Sequence, residues 1–435
     1  MLTVVGIVLF AVGLLLSIAL HEVGHLVPAK RSGVKVTQYM VGFGPTLWSR
    51  HRGETEYGIK WIPLGGYIRM IGMFPPRPGD EPDRVRRSST GPFQALVEDA
   101  RNASLEEIRP GDENRVFYRL PVRRKIVIML GGPLMNLLLA VLLLTIGLSL
   151  IGTPKYETTT TVREVVDCVV PAAEQRPCGD DDPVAPAAAA GFRPGDRIMG
   201  FAGRPVSSWE ETQQLIRRQP KGPVQVVVER DGRRLTLRPT VLRTERPTSA
   251  DDLTLTEVGF LGVSPKTVIA GRTTLPVTEL PGVLWSVFKQ TGTALLAVPK
   301  RMVGVWDAAF GDGARDPNGP VGVVGASRLG GEVAALPDEP VYAKVTYFLG
   351  ILGSLNMALF VFNLVPLLPL DGGHVAGALY EGARRTVAQW LRRPDPGPVD
   401  VAKMLPVAYS VAILLIGMSA LLLYADIVNP VRLSG

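Results

Sequence analysis

The chain has 435 residues, 46% of them hydrophobic, and a formal net charge of +7. It is too long for one simple core and too apolar for an ordinary soluble protein. The charge is modest for the length, and there is no aromatic-interleaved basic patch or zinc-finger spacing, so nucleic acid is excluded as a partner.

Four stretches are long enough to cross a bilayer, which takes about 20 apolar residues. They lie at 1–28, 126–152, 344–370 and 404–426. The first carries no charge from Leu2 to Leu20 and lacks a basic leader or a small-x-small cleavage site. It therefore reads as a permanent span rather than a signal peptide. It ends in "LHEVGHL", which places His21 and His25 at i and i+4 on one helical face, with Glu22 between them. Two such imidazoles can bind one zinc ion at about 2.0–2.1 Å, and the glutamate can act as general base on a water at an open coordination position. Ionisable groups at this depth must be solvated, paired or metal-bound. The competing reading is a span end wetted by lipid headgroups. The two remaining histidines, His51 and His374, have no such spacing.

Residues 29–74 follow as β-runs broken by glycine turns, "VKVTQYMVGFGPTLWSR" and "TEYGIKWIPLGGYIRM". Such a region can dip into the membrane only where protein or water satisfies its backbone. Residues 75–125 read as a Pro- and Arg-rich linker with a short surface helix over 93–109. The second span has no charged residue. Its Asn136 reads first as a hydrogen bond between helices, and second as a brace for the site.

Residues 153–265 read as a compact α+β domain, with a hairpin turning at Asp231-Gly232. The chain's two cysteines, Cys168 and Cys178, lie there, spaced for a local disulfide in an oxidising compartment, with two free thiols as the alternative. Residues 266–343 are an amphipathic segment on the same side, with a surface helix expected over 281–311. Arg and Lys crowd the flanks after span one (Lys30, Arg31, Lys35), before span two (Arg123, Arg124, Lys125) and after span three (Arg384, Arg385, Arg392, Arg393). The positive-inside rule places 29–125 and the loop 371–403 in the cytoplasm, and the α+β domain outside.

A catalytic zinc site takes three protein ligands and keeps one position open. Spans one and three run in the same direction, so their C-terminal ends share a leaflet. The only carboxylate at the end of span three is Asp371, in "NLVPLLPLDGGH". Taken alone, Asp-Gly-Gly would read as a helix-ending turn. Beside a two-histidine motif at matching depth, Asp371 is favoured as the third ligand.

With these motifs in hand, the sequence resembles the site-2 protease family of intramembrane zinc metalloproteases, in the bacterial branch typified by the regulator of sigma-E protease, actinobacterial form. "HEVGH", "VGFGP", "GGPLMN" and "NLVPLLPLDGG" resemble its motifs in the family's order, and "AAGFRPGDRIMGFAGRPVSSW" resembles a PDZ domain. The resemblance implies a multi-pass α-helical membrane protein with four transmembrane helices, a membrane-associated β-hairpin region and one inserted extracytoplasmic PDZ-like α+β domain. It implies one Zn²⁺ per chain on His21, His25 and Asp371, with Glu22 as base. It gives Asn363 a substrate-strand contact, has Gly42 and Gly44 shape a loop beside the site, and has Pro366 break span three. It offers the backbone around Tyr57 and Ile59 as a strand edge. The second proline, Pro369, lies one residue further from Asn363 than in the family's usual pattern. The implied substrate is a single-span membrane protein resembling an anti-sigma factor, trimmed first by a site-1 protease. The implied location is the bacterial cell membrane, with the active site near the cytoplasmic face.

Three other readings compete. A metal or ion transporter would need polar residues along the outer halves of the spans, and these are nearly absent. A membrane-tethered soluble-type protease would need a downstream third ligand, for which Glu106-Glu107 is the only candidate. An inactive PDZ scaffold is disfavoured by the intact motif and Asp371.

Overall fold

The computed structural model describes residues 1–76, 97, 101, 104–170, 177–179, 181–247, 254–311, 313, 315–316 and 319–431. The linker 77–92 and most of the expected helix over 93–109 lie outside the described residues. The chain forms two compact units, Met1–Thr153 with Thr274–Gly435, and Pro154–Thr273. Four helices are long and apolar enough to cross a membrane: Leu2–Arg31, Val122–Ile151, Val341–Asn363 and Val401–Val428.

The first unit begins with α1 (Leu2–Arg31), whose Val4, Val8, Val12 and Leu16 are exposed. That apolar surface suits hydrocarbon rather than water. Next come β1 (Val36–Arg52) and β2 (Thr55–Met70), which pair antiparallel. Their register is doubled. Gln38–Val41 lie between Gly66–Arg69 on one side and Glu56–Ile59 on the other. Tyr57 and Ile59 pair both with Tyr39 and Val41 and with Arg50 and Trp48. Their backbone is therefore interior to the sheet, which corrects the expectation of an open edge there. The cause is local: Gly42 and Gly44, at φ +95° and +81°, bend β1 so that it supplies two runs instead of one. The run Gly66–Met70 pairs with β1 on one side, and Gly66 lies against α1. At the far end of the sheet Phe43, Leu47, Trp48, Trp61 and Ile62 are exposed. After a short 3₁₀ turn (Phe117–Arg119), α2 (Val122–Leu144) continues as a π-helical segment to Ile151. A buried cluster under α1 joins Leu26 and Ala29 to Val36 and Met70 of the sheet and Ile128 of α2.

The second unit runs through β3 (Thr153–Val165), α3 (Pro186–Ala189), β4 (Arg197–Phe201), β5 (Arg204–Pro205), α4 (Trp209–Arg218), β6 (Gly222–Pro223), β7 (Val226–Arg230), β8 (Arg233–Leu237), β9 (Thr240–Pro247), β10 (Leu255–Phe260) and β11 (Val263–Thr273). One sheet has the order β11-β3-β4-β7-β8, with β5 on β4, and a second has β10-β9-β6. The core gathers Val162, Phe201, Trp209, Ile216, Val226 and Val228. Ser208 caps α4 by accepting from Glu211 N at 3.2 Å, and the Glu211 carboxylate returns to Ser207 N at 3.2 Å, close to the reciprocal pattern of a capping box. Asp196 is fully buried and accepts from Arg230 Nε at 2.7 Å, Arg230 Nη2 at 2.8 Å and Arg193 N at 2.9 Å. Cys168 and Cys178 are joined by a disulfide.

The first unit resumes with α5 (Leu280–Phe310), α6 (Val323–Ala335), α7 (Val341–Asn363), α8 (Asp371–Trp390) and α9 (Leu405–Val428). α5 carries Lys289, Lys300, Arg301 and Asp307 and is not among the four apolar helices. α6, expected as part of an outer amphipathic segment, packs directly on α1, with Gly330 against Phe10 and Gly6 against Ala334. Its start is held by Asp426 of α9, whose Oδ2 accepts from Gly322 N at 2.8 Å and Gly325 N at 2.9 Å. The stretch 371–403 opens with a 20-residue helix where a loop was expected. Gly372 and Gly373 do not stop that helix. They let its first turn sit on the preceding loop, where a β-carbon would stand 2.3 Å from the Val365 carbonyl oxygen and 2.6 Å from Leu368 N, respectively. Further along α8, Glu381 forms a buried pair with Lys125 of α2 at 2.8 Å.

Candidate metal centre

His21 and His25 lie one turn apart on α1, about 14 Å before its basic end at Lys30 and Arg31. Asp371 opens α8, immediately after the loop that follows α7. The three meet. His21 Nε2 and His25 Nε2 are 3.2 Å apart, and Asp371 Oδ2 is 3.4 Å from the first and 3.3 Å from the second. Around a tetrahedral cation at about 2.0–2.1 Å, neighbouring donors stand about 3.3–3.4 Å apart. The triangle therefore has the size of a zinc face. Asp371 Oδ2 is buried and has no hydrogen-bond donor. Lone pairs from two imidazoles and a carboxylate converge on one point, an arrangement that a cation stabilises and an empty pocket does not. Burial alone would raise the Asp371 carboxyl. The two imidazoles outweigh it and hold the group well below the usual carboxylate range, in the ionised form a metal takes.

Both histidines are oriented from behind. His25 Nδ1 donates to the Ile128 carbonyl of α2 at 2.8 Å, which leaves Nε2 as the free lone pair. His21 Nδ1 stands 3.0 Å from the amide nitrogen of Asn136, while Asn136 Oδ1 is buried with no partner. Turning that amide by half a revolution, which electron density at ordinary resolution does not distinguish, satisfies both at once. Asn136 Oδ1 then accepts from His21 Nδ1–H, and His21 Nε2 is freed for a metal. The backbone of α2 presses on the same face. A β-carbon at Gly132 would stand 2.1 Å from His25 Nε2 and 2.7 Å from His21 Cε1, so only glycine fits.

Glu22 is buried on the same turn and lies beneath Gly66 of β2, where a β-carbon would stand 2.9 Å from Glu22 Cγ. Tyr39 fastens β1 above it by donating to the Ala19 carbonyl at 2.8 Å. Burial, with the charge of Glu22 adding to it, pushes the Tyr39 hydroxyl up to about 12. His374 lies one turn after Asp371, and burial pushes its imidazole below its ordinary value against the pull of Asp371.

The remaining residues singled out in the sequence are placed as follows. Asn363 is the last residue of α7, and Pro366 lies exposed in the loop between α7 and α8. Gly42 and Gly44 bend β1. Tyr57 accepts from Lys30 Nζ at 2.9 Å, and Ile59 is exposed within the paired sheet. Gly132 and His374 had no signal of their own in the sequence. Asn136 had one, as the single polar group of an apolar helix, but its partner lies 115 residues away.

Comparison with known proteins agrees with this geometry. Residues 9–391 match the family described as Peptidase family M50. The chain is 36% identical to zinc metalloprotease Rip1 of Mycobacterium tuberculosis (strain ATCC 25618 / H37Rv), over 100% of both chains. It is 30% identical to metalloprotease MmpA of Caulobacter vibrioides, over 85% of this chain and 84% of that one. It is 27% identical to zinc metalloprotease RasP of Shouchella clausii, over 84% of this chain and 87% of that one.

Proposed function

Because the chain belongs to peptidase family M50, we propose that His21, His25 and Asp371 hold one zinc ion, that Glu22 moves the proton, and that the substrate is a single-span membrane protein cut within or near its membrane segment. The chain is a zinc metalloendopeptidase of the site-2 protease type, and its four apolar helices make it a membrane protein. The near-equal triangle of donor atoms, 3.2 to 3.4 Å on a side, carries the residue assignment.

A zinc ion at this position supplies Lewis acidity for a peptide carbonyl and lowers the pKa of water. Glu22, buried beside it, takes the proton of the attacking water and delivers it to the leaving nitrogen. A helical substrate shields its carbonyls, so it must be held unwound. An extended segment recovers its backbone hydrogen bonds by adding to a strand edge. The side of the Gly66–Met70 run nearest Glu22 takes the role first expected of Tyr57 and Ile59. Asn363 offers a donor and an acceptor to the same backbone. Gly42 and Gly44 shape the adjoining turn, and Pro366 keeps the loop from rejoining the helix.

The basic flanks at Lys30, Arg31, Arg123 and Arg124 support a cytoplasmic position for this end of the spans, with the α+β unit outside the bacterial cell membrane. We read that unit as PDZ-like. A groove of about 270 Å³ between α4 and β10, lined by Trp209, Ile216, Arg217, Arg246 and Phe260, suits a newly cut C-terminus. The fitting substrate class is an anti-sigma factor whose outer domain a site-1 protease has already removed.

The test uses the purified full chain on a single-span substrate, with zinc measured alongside. Glu22→Gln keeps zinc and loses cleavage. Asp371→Ala loses zinc. Cleavage by Glu22→Gln at the unmodified rate overturns the mechanism, and full zinc in Asp371→Ala overturns the ligand set.

A further inference from the structure

A cavity of about 1540 Å³ lies between α8, the 395–401 segment and the start of α9. It exceeds the roughly 300–1,000 Å³ of small-molecule sites. Leu367, Leu368, Val401, Met404 and Val407 supply apolar lining. The same cavity carries Arg101, Arg119, Arg384 and Lys403 against Asp395 and Asp400. Both carboxylates already face a cation: Arg101 is 2.7 Å from Asp400, and Arg385 Nε is 3.6 Å from Asp395. Arg119, Arg384 and Lys403 have no carboxylate within ion-pair distance among the described residues. Arg384 donates to the Pro396 carbonyl at 3.0 Å and lies over the Tyr380 ring, and Arg119 donates to the Asn114 side chain at 3.1 Å. Three positive charges therefore face a half-apolar cavity.

A second observation says what solvent the cavity meets. α8 exposes Leu379, Tyr380, Val387, Trp390 and Leu391, with Trp390 at 85%. At 100° per residue these fall within about 120° of one face. Arg384 borders that stripe, and Arg392 and Arg393 follow it. An apolar stripe edged with arginine is the pattern of a helix lying in a membrane interface. Arg119 stands just before α2 and Lys403 just before α9, so the cavity lies at the ends where two spans begin.

We infer that this cavity binds an anionic phospholipid, its phosphate held by Arg119, Arg384 and Lys403 and its upper acyl chains laid along Leu367, Leu368 and Val407. Basic pockets between spans at the cytoplasmic surface are suited to such headgroups. The wall formed by Pro366, Leu367 and Leu368 is the loop leading to Asp371, so the lipid buttresses the strand of chain that delivers the third donor.

The test is lipid binding by the full chain in detergent, read by native mass spectrometry with phosphatidylglycerol, phosphatidylcholine and inorganic phosphate as probes. Phosphatidylglycerol is retained in preference to phosphatidylcholine. Arg384→Gln or Lys403→Gln weakens it about fivefold each, and the triple variant with Arg119→Gln abolishes the preference. Arg392→Gln with Arg393→Gln, outside the cavity, leaves it unchanged. An unaltered thermal midpoint and zinc content in the triple variant confirm that it is folded. Equal retention of the two lipids, or wild-type retention by a folded triple variant, overturns the inference. Competition by inorganic phosphate at the affinity of the lipid also overturns it, because the site would then serve a free anion. If the triple variant unfolds, Lys403→Gln alone decides, since Lys403 is exposed and outside any ion pair among the described residues. None of these readouts depends on proteolysis, so the result is independent of the assignment of the metal centre.

Discussion

Gly132 of α2 and His25 of α1 approach so closely that a β-carbon on the first would stand 2.1 Å from Nε2 of the second. Gly132→Ala must therefore displace an imidazole. We expect zinc affinity to fall by at least the 10–100-fold that loss of a supporting partner costs. Competition with a chelator measures it. Unchanged affinity would mean that the two helices separate freely, contrary to the packing.

Asn136 behaves as the acceptor for His21 Nδ1–H. Asn136→Leu removes the acceptor and lowers zinc affinity about 10- to 100-fold. Asn136→Asp keeps an acceptor in place and holds affinity within a few-fold of the unmodified chain. If the leucine variant binds zinc as well as the parent does, the contact is packing alone.

Lys125 and Glu381 form a buried pair, their side chains 6% and 3% exposed. Removing one partner of such a pair typically costs about 3–5 kcal/mol, because the other charge is left buried. Arg385, 3.1 Å from Glu381, softens the loss, so Lys125→Met should cost about 3 kcal/mol. Chemical unfolding in detergent checks this, and Lys125→Met with Glu381→Leu should recover most of it. A single variant as stable as the parent refutes the argument.

Asp196 sets an acid limit on the second unit. Burial alone would raise its carboxyl, but Arg230 and the Arg193 amide outweigh burial and hold it below the ordinary carboxylate value. The stabilisation is therefore complete above the unfolded-state value of about 3.9 and is lost as pH falls through the lower folded value. Circular dichroism against pH should show the full chain losing β-structure below about pH 4, with Asp196→Asn less stable at pH 7 and less sensitive to acid. Parallel acid curves for the two chains would exclude Asp196 as the cause.

The metal centre was legible in the sequence to different degrees. His21, Glu22 and His25 were readable because their spacing is local and helical. Asp371 required only the parity of the spans, since helices one and three end in the same leaflet. Asn136 was ambiguous because an asparagine between helices has many possible partners. The strand edge was misplaced at Tyr57 and Ile59 because hydrophobic alternation identifies a strand but not how many neighbours it has. The bends at Gly42 and Gly44 gave it two. The helix from Asp371 was taken for a loop because Gly-Gly ordinarily marks a turn, whereas here it relieves a backbone collision. α6 was placed outside the bundle because its glycines look weakly apolar, although they are what lets it reach α1.

The carboxylate of Asp426 also bears on the order of assembly. It is the acceptor for the first amides of α6, and α6 is a neighbour of α1. The opening helix, with its histidines, is thus braced through residues made at the far end of translation. Ribosome-coupled insertion can thread the earlier spans one by one, but this brace cannot close until residue 426 has left the exit tunnel. Stalled or shortened chains that end before it would hold every putative zinc donor yet lack the strut that fixes their carrier helix.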